Sequence, residues 1–390
     1  MGPMFSSRTA FDLQPNRLTL AREAKRQAGV PLLDLTESNP TRVGLSGPND
    51  VLLPLADPAA LRYEPEARGS LRAREAVAAD HARRGLPVEP ERLLLTASTS
   101  EAYAFLFKLL CDPGDAILVP RPGYPLFDFL AGLESVRVDA YPLEYDRRWR
   151  IDVAALREKV TPRTRALVVV NPNNPTGSFL KQDERAEIEE LCAGRGIALV
   201  SDEVFADFAL RDVPDRASSF AVDGPALAFA LGGLSKSLGL PQVKLGWIAA
   251  SGPEGLRLEA LHRLEVVADT FLSVSTPVQV AAPWLLGRLD ELQAPIRRRI
   301  AKNFARLEAR TSHSAATLLH AEGGWAAVLR VPATLSEEER VMRLLEDHDV
   351  LVHPGYFFDF PSEAYLVLSL VPEPGVFAEG VERIVSSLVL

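Results

Sequence analysis

The chain has 390 residues, of which 47% are hydrophobic and 24% are charged. A chain of this size commonly forms two domains, and this composition is that of an ordinary globular protein, which excludes a disordered or fibrous chain. With 43 Lys and Arg against 52 Asp and Glu, the formal net charge is −9, which argues against nucleic acid or an anionic membrane as a partner.

The sequence also bears on the cellular setting. No apolar run approaches the roughly 18 residues of a membrane-spanning helix, and residues 1–12 contain no apolar core of a signal peptide. The two cysteines, Cys111 and Cys192, are too few for a disulfide framework. We therefore expect a cytoplasmic protein.

The first predicted elements are a helix over residues 15–28 and a strand over Leu32–Thr36. From residue 47 to residue 285, short apolar runs alternate with helical patterns, such as those over Ser100–Leu110 and Asp183–Ala193. Apolar runs of this kind predict buried strands of a mostly parallel sheet. The predicted strands are Leu93–Thr96, Ala116–Pro120, Val136–Tyr141, Ala166–Val170, Ile197–Val200, Leu227–Leu231 and Leu245–Ala250. The prediction is an α/β domain over residues 47–285, with a seven-stranded sheet between helices.

The pattern changes after residue 285. Ser336 and Glu339 have the spacing of a capping box that opens a helix. Strands over Val350–His353 and Tyr365–Leu370 and a last helix over Val376–Leu388 follow. Because the N-terminal segment is too short to fold alone, we expect residues 1–46 and 286–390 to form one smaller α+β domain.

Polar groups follow five of the predicted strands. Ligands of open α/β sheets bind beyond the carboxyl ends of the strands. The segments there are Ser98-Thr99-Ser100, Pro122-Gly123-Tyr124-Pro125, Asn171-Pro172-Asn173-Asn174-Pro175-Thr176-Gly177, Ser201-Asp202-Glu203 and Leu234-Ser235-Lys236-Ser237. A helix start with hydroxyl groups is also typical of an ordinary N-cap, and an aspartate at a strand end is typical of a turn, whereas a lysine at a buried strand is less easily explained by structure alone. Together the five segments bring an anion cradle, an aromatic ring, an amide, a carboxylate and a lysine to one sheet edge.

This combination matches the needs of pyridoxal phosphate. The cofactor forms a Schiff base with a lysine amine, and a carboxylate keeps its pyridine nitrogen protonated, which makes the ring an electron sink. It also needs a donor to its ring oxygen, an aromatic face and a phosphate site at a helix N-terminus. We therefore predict pyridoxal 5′-phosphate as the cofactor and no metal site.

From about Leu35 to its C-terminus, the chain resembles the fold-type-I pyridoxal-phosphate enzymes, specifically the aspartate aminotransferase superfamily (class I/II). The resemblance rests on Asn-Pro-x-Asn-Pro-Thr-Gly, Ser-Asp-Glu and Ser-Lys-Ser-x-Gly-Leu-Pro, in this order and spacing. It implies an aminotransferase that works as a homodimer with shared active sites.

The resemblance also implies roles for single residues. Lys236 corresponds to the Schiff-base lysine, which moves the proton, and Asp202 to the partner of the pyridine nitrogen. Asn174 corresponds to the donor to the ring oxygen, and Tyr124 to the ring stacked on the cofactor. The residues implied to hold the phosphate are Ser98, Thr99, Ser100, Ser235, Lys244 and, from the neighbouring subunit, Tyr63.

Three positions depart from the family pattern. Phe205 occupies the position of a tyrosine that usually donates to the ring oxygen. Because phenylalanine cannot donate, we expect the Schiff-base nitrogen between lysine and cofactor to have a higher pKa than in a Phe205→Tyr variant. Lys244 replaces an arginine that binds the phosphate. Lysine keeps the positive charge but lacks the paired N–H donors of a guanidinium group. Val367 aligns with the arginine that binds the substrate α-carboxylate. Either another group binds a carboxylate here, or the substrate is not an ordinary α-amino acid.

Substrate contacts are therefore predicted from other polar residues, namely Ser38, Asn39, His353 and Tyr356. A structural role for His353 is the competing interpretation. The cluster from Tyr356 to Phe360 has two interpretations as well, which are core packing under a loop and the aromatic wall of a substrate pocket.

The predicted function is the transfer of an amino group between an amino acid, or another primary amine, and a 2-oxo acid. A β-eliminating lyase or a decarboxylase on the same cofactor is the alternative, since it would share every cofactor residue named above. A DNA-binding regulator on this fold is disfavoured by the charge and by the few residues that precede the resemblance. A dinucleotide-binding oxidoreductase is disfavoured because no Gly-x-Gly-x-x-Gly turn follows a predicted strand.

Overall fold

The computed structural model describes residues 4–388. Its α-helices are α1 Arg17–Gln27, α2 Leu71–Arg83, α3 Thr99–Leu110, α4 Leu126–Leu133, α5 Val153–Lys159, α6 Gln182–Arg195, α7 Leu234–Ser237, α8 Glu254–Phe271, α9 Thr276–Gly287, α10 Leu289–Thr311, α11 Glu337–His348 and α12 Pro374–Ser386. Its strands are β1 Leu33–Asp34, β2 Leu93–Thr96, β3 Ala116–Arg121, β4 Arg137–Asp146, β5 Arg148–Ile151, β6 Thr164–Val170, β7 Ala198–Asp202, β8 Ala228–Gly233, β9 Gly246–Ser251, β10 Thr317–Leu318, β11 Ala326–Arg330, β12 Val350–Leu351, β13 His353–Pro354 and β14 Tyr365–Ser369.

The large sheet has eight strands within the described residues, in the order β2-β9-β8-β7-β6-β3-β4-β5. The strands from β8 to β4 run parallel, whereas β9, β2 and β5 pair antiparallel with their neighbours. All seven predicted strands are present, but the predicted number was one too few. The missed strand, β5, reads Arg-Trp-Arg-Ile and forms a hairpin with the end of β4. As an edge strand it is not buried on both faces, so it carries no continuous apolar run.

Successive side chains of the central strands point to opposite faces of the sheet, and each face has its own hydrophobic core. Leu118, Leu167 and Leu199 pack on one face with residues of α2, α6 and α9. Their sequence neighbours, including Ile117 and Val200, pack on the other face with α3, α4 and α8. Both faces are therefore covered by helices, as the fold class α/β predicts.

A second, smaller sheet in the C-terminal part has the order β10-β11-β14-β13. The N-terminal segment packs with this part of the chain, because β1 pairs with β12 in a separate two-stranded parallel sheet and Leu35 and Leu18 enter the same core as Phe304 and Leu366. The predicted capping box is present, with Ser336 and Glu339 exchanging hydrogen bonds at the start of α11. No helix between residues 4 and 388 is both long and apolar enough to cross a membrane.

Candidate active site

A cavity of about 410 Å³ lies between the carboxyl ends of the central strands and the small sheet. Most of the residues singled out in the sequence line it. They are Ser38, Ser98, Thr99, Ser100, Tyr124, Asn174, Asp202, Ser235, Lys236, Lys244 and His353. The cavity follows from the topology, because β2, β3, β6, β7 and β8 all end at this edge of the large sheet.

The start of α3 forms one end of the cavity. Ser98 is the N-cap, and its side-chain oxygen accepts a hydrogen bond from the backbone N–H of Glu101 at 3.2 Å. A Cβ on Gly246 would lie 3.0 Å from the carbonyl carbon of Ser98, so only glycine lets β9 pack this closely on the helix start. Hydroxyl groups and free N–H groups at a helix N-terminus suit a dianion.

A carboxylate stands at the end of β7. Asp202 accepts hydrogen bonds from the hydroxyl of Tyr103 at 3.1 Å and from the backbone N–H of Val204 at 3.2 Å. Burial raises the pKa of Asp202 to about 6, while these two donors and the Lys236 amine act in the opposite direction. The group is thus ionised at neutral pH although it is half-buried.

Lys236 lies in the short helix α7, directly after β8. Its Nζ is 5.3 Å from the ring centre of Trp325 and 5.6 Å from that of Phe205. Burial lowers the pKa of the Lys236 amine, and the carboxylate of Asp202 opposes this shift. A lowered pKa gives the amine a larger uncharged fraction, which is the reactive form of a nucleophile or base.

Asn174 and Tyr124 lie on two loops that are tied together. The side chain of Asn173 donates to the carbonyl oxygen of Pro122 at 3.1 Å, so the loop after β6 holds the loop after β3. Tyr124 is 43% exposed and stands at the opening of the cavity. The tie therefore holds the loop that carries Asn174 against the loop that carries Tyr124.

The wall opposite the start of α3 is mostly apolar. Val367 of β14 is buried there, directly across from His353 of β13. The His353 ring lies 5.8 Å from Phe358, and burial lowers the pKa of the imidazole, which is therefore neutral at pH 7. The aromatic cluster has both of the roles considered for it. Phe358 lines the cavity, whereas Phe360 stacks on Tyr365 at 4.6 Å in the core.

Three predicted residues lie away from the cavity within one chain. Tyr63 is 70% exposed and lines a shallow cleft with residues of the α8–α9 connection. The side chain of Asn39 caps a short turn by accepting from the backbone N–H of Thr41 at 3.1 Å. Tyr356 is 44% exposed, and its backbone N–H donates to Glu337.

Sequence reasoning missed several residues of the cavity. Thr36 and Trp325 line it, and Tyr103 reaches Asp202 from α3. A signal existed for Tyr103, because it lies four residues after Thr99 and hence on the same face of the predicted helix. No comparable signal existed for Trp325, whose approach to Lys236 depends on how the small sheet packs on the large one.

The family "Aminotransferase class I and II" matches residues 49–384 of the chain. The chain belongs to this family. Class I and II aminotransferases use pyridoxal phosphate, and the resemblance seen in the sequence is thereby confirmed.

Relatives in this family differ in their named reactions. The S-alkyl-thiohydroximate lyase SUR1 of Arabidopsis thaliana is 35% identical over 59% of this chain and 50% of its own length. The glutamate-pyruvate aminotransferase AlaA of Escherichia coli strain K12 is 30% identical over 68% of this chain and 66% of its own length. The match thus spans between half and two thirds of these two relatives.

The fold agrees with this assignment. An aminotransferase from Escherichia coli superposes with a TM-score of 0.86 at 24% identity, covering 100% of this chain and 98% of that one. The predicted fold-type-I architecture is confirmed by this likeness.

Proposed function

We propose that this chain is a pyridoxal-phosphate-dependent aminotransferase, which moves an amino group from an amino acid or another primary amine to a 2-oxo acid. One observation carries the proposal. The amine of Lys236 and the carboxylate of Asp202 line a single cavity together with the hydroxyl-bearing start of α3. Donor and acceptor would be small molecules that enter this cavity in turn.

The cavity fits the cofactor at both of its ends. The proposed phosphate ligands are Ser98, Thr99, Ser100, Ser235 and Lys244. Asp202 would face the pyridine nitrogen, Asn174 would donate to the ring oxygen, and Tyr124 would cover the ring. When bound, the cofactor supplies an electron-poor ring that stabilises negative charge on the carbon next to the donor's nitrogen.

Lys236 would carry the proton. Its amine lies inside the cavity with a lowered pKa, so a share of it is uncharged and can accept a proton from the donor carbon. The same amine, now protonated, can act as a general acid and deliver that proton to the carbon on the other side of the donor's nitrogen. The aromatic rings of Phe205 and Trp325 lie 5.6 Å and 5.3 Å from this amine and would shield part of it from water during the transfer.

The donor would lie against the apolar wall. Ser38 and His353 line the cavity and are the better supported of the proposed substrate contacts, whereas Asn39 and Tyr356 lie outside it. Among the described residues of one chain, the cations that line the cavity are Lys236 and Lys244, both assigned to the cofactor. We therefore propose that the donors include primary amines without a carboxylate beside the nitrogen.

A β-eliminating lyase is the second candidate. The Arabidopsis relative that carries the name of a lyase favours it, since its 35% identity exceeds the 30% of AlaA. The same Lys236 could remove the same proton in both reactions, and the fate of the donor's side chain would separate them.

Absorbance spectroscopy of the purified chain with pyridoxal phosphate tests the function. We expect a visible band that Lys236→Ala removes and Lys108→Ala, on the surface of α3, retains. Each donor is then added without an acceptor, as pairs of an amino acid and the amine obtained by its decarboxylation. Bleaching of the band that a 2-oxo acid restores supports transamination. Release of ammonia or carbon dioxide while the band persists supports a lyase or a decarboxylase instead.

We further propose a homodimer in the cytoplasm. Tyr63, Leu61 and Leu53 are exposed by 70%, 90% and 69%, and large apolar side chains exposed in one short stretch of chain favour contact with a second copy. Both cysteines are free, which suits a reducing compartment.

A further inference from the structure

A tyrosine outside the recognised motif touches the central carboxylate. Tyr103 lies in the second turn of α3, is 3% exposed, and donates its hydroxyl to Oδ2 of Asp202 at 3.1 Å. Its ring packs edge-on against Phe127 at 5.3 Å and lies 5.9 Å from Phe107. The hydroxyl is therefore held in place by a packed ring.

We propose that Tyr103 is a positioning residue of the cofactor site, whose hydroxyl fixes the direction of the Asp202 carboxylate and preserves its negative charge. The inference rests on the proposed function, since it concerns how Asp202 would meet the pyridine nitrogen. It adds a residue that the sequence motifs do not contain.

Geometry is the first argument. Oδ1 of Asp202 accepts from the backbone N–H of Val204 at 3.2 Å, and Oδ2 accepts from Tyr103. With a donor on each oxygen, the plane of the carboxylate is set by helix α3 and by the turn directly after β7. The remaining lone pairs are left for the cavity, which Asp202 lines.

Charge is the second argument. The pKa of Asp202 is raised to about 6, chiefly by burial and in smaller part by the neighbouring Glu203 carboxylate. The donors from Val204 and Tyr103 lower this pKa, as does the Lys236 amine. The hydroxyl of Tyr124 also faces the group. Because the pKa already lies near 6, loss of one donor brings it close to neutrality, where a protonated Asp202 no longer holds a protonated pyridine nitrogen.

The helix gives the third argument. Thr99 and Ser100 begin α3 at the proposed phosphate site, and Tyr103 follows on the same face after one turn. One rigid helix thus sets both the phosphate seat and the donor to Asp202. The pKa of Tyr103 itself is raised well above 10, so its hydroxyl remains a donor over the whole working range.

The test is the pH dependence of cofactor binding to the full chain. The dissociation constant of pyridoxal phosphate is measured by equilibrium dialysis from pH 5.5 to 9 for the wild type, Tyr103→Phe and Tyr141→Phe. Tyr141 is the matched control, because its hydroxyl is equally buried and donates to the carbonyl oxygen of Val168 rather than to Asp202. The titration of free cofactor is common to all three proteins, so differences between them report the protein.

We expect binding to weaken as the pH falls through the pKa of Asp202. In Tyr103→Phe this inflection should move up by about one pH unit, with roughly threefold weaker binding near pH 6.5, roughly eightfold weaker binding at pH 5.5 and nearly equal binding at pH 9. Tyr141→Phe should keep the wild-type inflection. Should Tyr103→Phe fail to fold, 3-fluorotyrosine at position 103, a stronger donor, should move the inflection down.

Other outcomes overturn the inference. An unshifted inflection in both substituted proteins, or a weakening of equal size at every pH, would show that Tyr103 acts only in packing. Failure of the wild type to bind the cofactor through Lys236 would overturn the proposed function as well. Normal binding with an unshifted inflection would overturn the inference alone.

Discussion

Two half-buried groups of opposite sign line the same cavity, and their partial removal from water shifts both toward their neutral forms. Burial raises the pKa of Asp202 to about 6 and lowers the pKa of Lys236. Each also opposes the shift of the other through its charge. The result is a carboxylate that stays charged at pH 7 beside an amine that can become uncharged. Proton transfer at a carbon needs both, a fixed negative charge and a base that can accept the proton.

Phe205 gives a prediction at this scale. The Phe205→Tyr variant places a hydroxyl near the expected position of the cofactor's ring oxygen. The added donor should stabilise the deprotonated form of the Schiff-base nitrogen between Lys236 and the cofactor. The pKa of that nitrogen should fall by about one to two units, because a hydrogen bond to a charged group contributes about 1.5–3 kcal/mol. A spectroscopic pH titration measures it. Phe129→Tyr, on the exposed side of α4, is the control, and coincident curves for all three proteins would refute the prediction.

Single residues could be predicted where a motif fixes them at a strand end. Asn174, Asp202 and Lys236 follow strands that the apolar runs identify, and the ends of parallel strands meet at one edge. Tyr103 and Asp202 are 99 positions apart in the chain, so their contact depends on packing between a helix and a strand. No local sequence pattern predicts a contact between residues so far apart in the chain.

At the scale of elements, a buried ion pair fastens the segment before β11 to the large sheet's loops. Lys181 and Glu322 pair with 0% and 5% of their side chains exposed. Glu322 also accepts from the backbone N–H of Phe179, and its own N–H donates to Gly177 at 3.0 Å. Because Trp325 follows three residues later, this anchor also places the ring that lies near Lys236.

The Glu322→Gln variant should destabilise the chain strongly. It leaves the ammonium of Lys181 buried without its counter-charge, which costs about 3–5 kcal/mol of unfolding free energy. Urea unfolding followed by circular dichroism measures the loss. Glu259→Gln is the control, since its pair with Arg263 is exposed by 58% and 67%, and its loss should stay within about 0.5 kcal/mol. Equal losses in the two variants would contradict the role of burial.

Helix α2 carries a pH-dependent contribution to stability. Burial and the charges of Arg84 and Arg92 lower the pKa of His81 to about 3, against an ordinary value near 6.5 in the unfolded chain. The unfolded state therefore binds a proton first as the pH falls, and stability drops below pH 6.5. One such group removes about 1.4 kcal/mol between pH 7.5 and pH 5.5.

Urea unfolding at those two pH values checks this expectation. The pH-dependent loss should be smaller by about that amount in His81→Gln than in the wild type. His313→Gln replaces an exposed histidine and should keep the wild-type loss. If His81→Gln retains the full loss, other buried groups carry the pH dependence.

The predicted elements show why some features were visible in the sequence and others were not. Buried central strands such as β6 are continuous apolar runs, and the capping box of α11 is a local signal that the structure reproduces. Strand β5 was missed because its polar residues face solvent at the sheet edge. Its pairing arises from the hairpin with β4, which a search for apolar runs does not detect.

At the scale of the molecule, the cavity needs both units of the chain. Asp202 and Lys236 come from the large sheet, whereas His353 and Val367 come from the small one. We propose the division into residues 47–285 and residues 1–46 with 286–390. Helix α10 connects the two cores, since Leu289 and Leu292 enter the first and Ile300 and Phe304 enter the second. A change in the angle between the units would therefore change the cavity.

The site is proposed to be complete only in a dimer. Tyr63 lines a cleft of its own chain with the end of α8, away from Lys236, and 70% of it is exposed. If its hydroxyl reaches the phosphate in a second copy, Tyr63→Phe should weaken cofactor binding about tenfold, the value of one hydrogen bond to a charged oxygen. Sedimentation analysis should show a dimer for wild type and variant alike.

Mixed dimers decide whether Tyr63 acts across the interface. A dimer of one Lys236→Ala chain and one Tyr63→Phe chain has an intact Lys236 that faces the intact Tyr63 of the other chain, so one site should bind cofactor with wild-type affinity. A dimer of wild type with a chain that carries both substitutions has its intact Lys236 facing the substituted position 63 of the double variant, so it should bind about tenfold more weakly. If Tyr63 served its own chain, the two mixed dimers would exchange these affinities, because the tyrosine would then stay with the lysine of the same subunit.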